Sequence, residues 1–281
     1  MAIHLPHLRS EFPALPWLAC ALCLSFGCSP SDSATGANPD PDAGAADASL
    51  PSTSLETLSA SALAAANGIT TTFLMDRVNV LASDEFGGRD NLSPGGIAAR
   101  AWLAADLTNL KLAPLVGPTH AQPFPAGANL CARVPGSDKL LVDEYVVIGA
   151  HYDHLGTVGA PNSQCQSSKT GDPSDTICNG AVDNAAGVAV ALAVVHALAQ
   201  SAHPPRRSLI LCLFDAEEDG LLGSRHFVEK APLVPLASVA AMLSVDNVGS
   251  EFLPGEASSF ATDAEFSTAL RAAVKTANVI T

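Results

Sequence analysis

The sequence predicts an α/β fold, a mostly parallel mixed sheet sandwiched between helices, and three observations carry that expectation. The middle of the chain alternates apolar strand-length runs with helical ones. Its strand runs show no polar alternation, as expected of strands buried on both faces. Consecutive strands joined by a helix pair in parallel through right-handed crossovers. With 48% hydrophobic residues in 281, the chain has ample material for a core.

Taken in order, residues 1–28 read as an export signal. Arg9 is the early cation, and ALPWLACALCLSFG (14–27) is apolar but too short to span a bilayer comfortably. Cys28 follows at once and is a lipidation candidate, with ordinary cleavage nearby as the alternative. Residues 29–71 are rich in Ser, Ala, Pro, Asp and Thr and read as a flexible low-complexity tether, with a weak helix around LETLSASALAAAN. Ordered structure, and with it the main domain, is expected over 72–281.

That domain opens with an amphipathic helix, FLMDRVNVLAS, then a Gly-rich turn, FGGRDNLSPGG. A second helix, IAARAWLAADLTNL, places Leu103, Leu107 and Leu110 on one face. Strand YVVIGA (145–150), helix AAGVAVALAVVHALA (185–199), strand SLILCLF (208–214), helix LLGSRHFVEK and strand AAMLSV (240–245) follow. The helix over 185–199 has His196 as its one polar side chain and falls short of a membrane span, so it is expected to be buried. TDAEFSTALRAAVKTAN (262–278) carries Thr262 and Glu265 in capping-box spacing and is expected to cover the surface as a helix.

The formal charge of −14 and the lack of a basic block argue against nucleic acid or an anionic membrane surface as partner. A membrane is reached only through a lipid anchor at Cys28. Beyond Cys28, four of the seven cysteines remain. Cys165 and Cys178 bracket a polar loop and are the disulfide candidate in an oxidising compartment, whereas Cys131 and Cys212 lie in apolar runs and are expected as small buried thiols. The chain is therefore expected to be exported, as a cell-envelope lipoprotein or a periplasmic or secreted protein.

In open α/β sheets, ligands sit beyond the carboxyl ends of the strands. His151 and Asp153 follow YVVIGA, Glu217 and Glu218 follow SLILCLF, Asp246 follows AAMLSV, and Asp183 opens the buried helix. Singly, each has an ordinary structural reading: Asp183 as a helix cap, Asp246 as a turn former, His151 as a lone polar residue. Together they crowd carboxylates at one sheet edge, which calls for a cation. Imidazole with carboxylates suits zinc best, with manganese or cobalt open. Asp153, two residues after His151, is placed to accept the other N–H of a ligating imidazole. His154 and His226 have weaker claims, and Asp215 and Asp219 read as turn or supporting residues.

GAHYDHLG, NGAVDNAAGVA, FDAEEDGLLGS and MLSVDNVG, in this order, resemble the four motifs of the zinc-dependent aminopeptidases with a co-catalytic metal pair, the bacterial leucyl-aminopeptidase type. LASDEFGGRDNLSPGG and NLCARVPGSD extend the similarity over roughly residues 73–281. The resemblance implies a zinc exopeptidase-like fold and a peptide substrate cleaved at its N-terminal bond. It also implies roles: His151 and Asp246 on one metal, Asp183 bridging both, Glu218 on the second, and Glu217 as general base. The family's remaining ligand is a later histidine, and no histidine follows His226 here. The domain is thus expected to be an incomplete copy lacking its C-terminal part, and the second metal position, left with Asp183, Glu218 and water, to hold zinc more weakly than the first. The alternatives are a single-metal hydrolase or cyclase, as in the related glutaminyl cyclases, or a non-catalytic metal-binding surface protein. A metal-binding scaffold has no use for a second glutamate at Glu217, which favours the peptidase.

Overall fold

The strand SLILCLF is buried along its whole length and forms the middle of the sheet. Leu209, Leu211 and Leu213 point to one face, and Ile210, Cys212 and Phe214 to the other. The computed structural model describes residues 62–167, 172–249 and 259–261, the last by backbone alone. The expected export signal, most of the tether, Cys28 and the helix over 262–278 lie outside the described residues.

Nine strands are described, in two sheets: β1 (Ala113–Pro114), β2 (Ala121–Phe124), β3 (Gly127–Val134), β4 (Tyr145–His151), β5 (Gly156–Thr157), β6 (Ile177–Cys178), β7 (Ser208–Phe214), β8 (Val239–Ser244) and β9 (Ser259–Ala261). The main sheet runs β1-β3-β7-β4-β8-β9, with β2 also on β3, while β5 and β6 pair separately. The sheet is mixed as expected, but parallel pairing is confined to its centre, where β4 lies parallel to both β7 and β8. The antiparallel strands β1 to β3 extend one edge and β9 the other. This antiparallel share exceeds expectation because β2 and β3 form a tight hairpin ahead of the first βαβ unit.

Three helices cover one face: α1 (Thr71–Leu81), α2 (Pro94–Asn109) and α3 (Gly187–Ala199). Thr70 caps α1 by accepting the Phe73 N–H at 3.1 Å. Ser93 caps α2 by accepting the Gly96 N–H, with Pro94 at the first helical position, where a missing N–H is harmless. Leu103 and Leu107 of α2 and Val188, Leu192 and Val195 of α3 are fully buried against Leu130, Ile148 and Leu211. At about 2 kcal/mol per buried leucine, this apolar layer is the chief stabilising term of the fold. On the opposite face, Phe227 and Val234 pack on Tyr145, Val147 and Phe214.

The helix expected over 221–230 is shorter and irregular. Leu221 takes a left-handed φ of 63°, a regular turn spans Leu222–Arg225 (α4), and a wider π-type turn follows over His226–Lys230.

Both cysteine pairs are bonded, one as expected and one not. Cys165 and Cys178 are disulfide-bonded, with Cα atoms 5.8 Å apart. Cys131 and Cys212 are buried as expected but are not free thiols. They are direct register partners across β3 and β7, and their sulfurs are bonded. Cross-strand register over 81 residues of separation sets that pairing, and no local pattern announces it.

Candidate metal centre

Because β4, β7 and β8 are parallel at the centre, their carboxyl ends share one edge, and backbone bonds fasten the loops leaving it. The Tyr152 N–H donates to the Phe214 carbonyl at 2.9 Å, and the Val245 N–H to the Gly149 carbonyl at 2.8 Å. The entrance to α3 joins them: Asn184 is fully buried, its Nδ2 donates to the Val245 carbonyl, and its Oδ1 accepts the Gly187 N–H. Asn184 therefore does the work of a helix cap. Asp183, with extended backbone (φ −110°, ψ 97°), is left to face the strand ends.

His151 is buried, and its two ring nitrogens face different groups. Nδ1 lies 3.2 Å from the Asp153 carbonyl and 3.6 Å from the Asp153 carboxylate. Nε2 lies 3.2 Å from Asp183 Oδ1 and 3.3 Å from Asp246 Oδ1. A nitrogen lone pair facing two carboxylate oxygens at that distance is repulsive unless a proton or a metal ion stands between them. Burial alone would lower the imidazole pKa, but Asp153, Asp183 and Asp246 outweigh it and push it up to about 12. Asp183 is held below the usual carboxylate range, chiefly by its hydrogen bond to His151, with burial opposing.

These separations suit zinc. Ligand bonds of about 2.0–2.2 Å in a tetrahedron put donor atoms about 3.3–3.5 Å apart, close to those seen around His151 Nε2. A second cluster shares Asp183: His154 Nδ1 lies 2.8 Å from Glu218 Oε1 and 4.0 Å from Asp183 Oδ1. His151, Asp183 and Asp246 thus form one group able to hold a metal ion, and His154, Asp183 and Glu218 another.

Asp153, nearly fully buried, does more than face His151. Its Oδ1 accepts the Glu217 N–H at 3.0 Å and its Oδ2 the Glu218 N–H at 3.1 Å. The turn that delivers both glutamates passes through Ala216, buried and left-handed at φ 54°, a conformation costing a non-glycine residue roughly 1 kcal/mol. Glu217 is half-buried at this edge. Its carboxyl is raised above the ordinary glutamate value, mainly by burial, with His151 opposing and Glu218, Asp153 and Asp246 adding to the rise.

The other acids of FDAEED have separate partners. Asp215 is fully buried, accepts the Ala128 N–H at 3.0 Å and pairs with Arg100 at 3.1 Å. Asp219 accepts from Asn91 and Gln164. His226 stacks on Phe124, outside both metal groups.

Sequence reasoning gave His154 a weaker claim, and the structure sets it beside Glu218 and Asp183. It also passed over Arg89, a fully buried guanidinium that donates to the carbonyls of Tyr152 (2.8 Å), Asn179 (2.6 Å), Gly180 (2.8 Å) and Leu81. Arg89 ties the loop after β4 to the loop that presents Asp183. A buried cation without a carboxylate on its own nitrogens has no local sequence signature.

Comparison with known proteins gives a consistent pattern. The model of peptidase family M28 matches residues 129–280. A probable zinc metalloprotease from Pyrenophora tritici-repentis is 30% identical over 186 residues, 58% of this chain and 38% of that one. Leupeptin-inactivating enzyme 1 from Streptomyces exfoliatus is 32% identical over 124 residues, 44% of this chain and 23% of that one. The crystal structure of LapA from Legionella pneumophila covers 70% of this chain and 49% of its own at 20% identity and a TM-score of 0.49. The chain spans between 12% and 38% of the length of the curated relatives it matches. The matched segment covers more than half of the chain and contains His151, Asp183, Glu217, Glu218 and Asp246, and on that match the chain belongs to peptidase family M28.

Proposed function

We propose that the protein is an exported zinc-dependent exopeptidase of the aminopeptidase type, hydrolysing the N-terminal bond of a peptide. One observation carries this reading: Asp183 stands between two donor groups, with His151 and Asp246 on one side and Glu218 on the other. His151, Asp183 and Asp246 would hold one zinc ion, and Asp183 and Glu218 a second. Zinc bound there supplies Lewis acidity and brings the pKa of an attacking water toward about 7.

The chain's own residues do the rest. Glu217 accepts the proton of the attacking water and returns it to the leaving amine, and its raised pKa suits that shuttling better than an ordinary glutamate would. Asp153 fixes the backbone of Glu217 and Glu218, so that base and ligand keep their spacing.

Export accords with the N-terminal apolar stretch and with two disulfides, which persist in oxidising compartments. Cys28 is the proposed lipid anchor. A Cys28→Ser variant then leaves the membrane fraction, and equal membrane retention removes the anchor from the account.

The activity is tested with a panel of aminoacyl amidocoumarins and their N-acetylated counterparts, assayed after zinc restoration and after chelation. The expected result is zinc-dependent release from the free-amine substrates alone. Equal cleavage of acetylated substrates, or none of either with zinc bound, overturns the reading.

A further inference from the structure

We propose that Gln164 and the Cys165–Cys178 disulfide act together as a positioning brace, holding the turn that carries Glu218 at a fixed separation from the segment that carries Asp183. The inference rests on the two-metal reading above and adds to it what keeps the two carboxylates in place.

The loop after β5 folds back towards the metal edge. The backbone N–H groups of Gln164 and Cys165 both donate to the Leu155 carbonyl at 3.0 Å, and the Ser163 hydroxyl donates to the same oxygen at 2.7 Å. From that anchored position the Gln164 side chain reaches the glutamate turn. Its Nε2 donates to the Glu218 carbonyl at 2.8 Å and to Asp219 Oδ1 at 3.1 Å. Asp153 already holds the N–H groups of Glu217 and Glu218. With Gln164 on its carbonyl, Glu218 is fixed through the peptide groups on both of its sides.

The disulfide carries this hold to the other carboxylate. Cys165, next to Gln164, is buried and bonded to Cys178, which ends β6 and pairs with Gly156. The chain leaving β6 runs directly to Asp183. The Asn179 and Gly180 carbonyls accept from Arg89, the Asn179 side chain donates to the Ala82 carbonyl at 2.9 Å and to Asp84 at 2.8 Å, and Asp183 follows three residues after Gly180. One covalent bond thus joins the segment that holds Glu218 to the segment that presents Asp183.

The chemistry asks for such a brace. Two carboxylates facing one cation position repel each other when the metal is absent, and neither stands within a regular strand or helix: Glu218 lies on a turn and Asp183 has extended backbone. Ligands that drift apart must be gathered again when metal binds, which lowers affinity, whereas ligands held in place bind without that cost.

A competing role is a disulfide that steadies only its own loop, and the test separates the two. Zinc is titrated calorimetrically into the metal-stripped 281-residue chain and three variants: Gln164→Met, Cys165→Ser with Cys178→Ser, and all three substitutions combined. Each is checked for native circular dichroism and for its thermal midpoint. Gln164 is exposed, and methionine keeps its bulk without the N–H donors, so Gln164→Met keeps the fold whatever the serine pair does. The proposal expects two zinc ions in the parent chain. In Gln164→Met the weaker ion should lose about 10-fold in affinity, the low end of the range for groups that orient a ligand, with the thermal midpoint unchanged. The serine pair should lose at least as much. The combined variant should lose no more than about threefold beyond the serine pair, because the two act through one connection. The stronger ion should stay within about threefold throughout. Parent affinity in Gln164→Met, or a combined loss equal to the product of the separate losses, overturns the proposal and leaves the two-metal reading intact. Fewer than two zinc ions in the parent chain overturns that reading, and the brace with it.

Discussion

The carboxylate of Asp153 accepts the backbone N–H of Glu217 at 3.0 Å, and its second oxygen accepts that of Glu218 at 3.1 Å. One buried acid thereby links the loop that carries His151 to the turn that carries the proposed base and the neighbouring ligand. Removing it should loosen both at once. Asp153→Ala is expected to lower zinc affinity 10–100-fold, the range found for groups that orient metal ligands, and calorimetric titration checks it. Asp153→Asn keeps one acceptor oxygen and should lose less.

Glu217 is assigned to proton transfer and not to metal binding. Glu217→Gln should keep the zinc stoichiometry and lower hydrolysis by about 10²–10⁴-fold. Metal analysis and a rate measurement on one sample decide this, and loss of zinc from the variant would move Glu217 into the ligand set.

On the proposed reading, zinc and a proton compete for His151. In the metal-free chain its pKa is about 12, because Asp153, Asp183 and Asp246 outweigh the effect of burial. The folded value lies above the unfolded one, so the stabilisation is full below about pH 6.5 and is lost as pH rises toward 12. Zinc needs the neutral imidazole, so binding the first ion should release one proton, and its affinity should rise about tenfold per pH unit near neutrality. Calorimetry in two buffers of different ionisation enthalpy counts that proton.

Asp215 gives the opposite kind of pH dependence from an ordinary surface carboxylate. Burial raises its pKa to about 6, despite the Ala128 N–H and Arg100. The folded chain then binds more protons than the unfolded chain between about pH 4 and 6. Its contribution to stability is full below about pH 4 and declines as pH rises through 6. Chemical unfolding across that range should show the decline, and Asp215→Asn should flatten it.

Much of the centre was legible because apolar strands and motif spacing are local signals. The runs at 145–150 and 208–214 and the buried helix near 185–199 coincide with β4, β7 and α3, and the strand-end rule places His151, Asp183, Glu218 and Asp246 at one edge. What escaped depends on register and packing. The β2–β3 hairpin and the Cys131–Cys212 bond follow from strand alignment at long separation. The double role of Asp153 follows from the backbone path through Ala216, and the role of Asn184 as cap follows from its bond to Val245. The placement of His154 beside Glu218 depends on Gly180 and Arg89, which are distant in sequence.

The central claim is that Asp183 is shared between two cation positions. Anomalous diffraction at the zinc edge, from crystals of the zinc-loaded chain, tests it most directly. The account predicts two peaks about 3.5–4 Å apart, one beside His151 Nε2 and Asp246, the other beside Glu218, with Asp183 between them. A single peak, or peaks that leave Asp183 without contact to both, contradicts it.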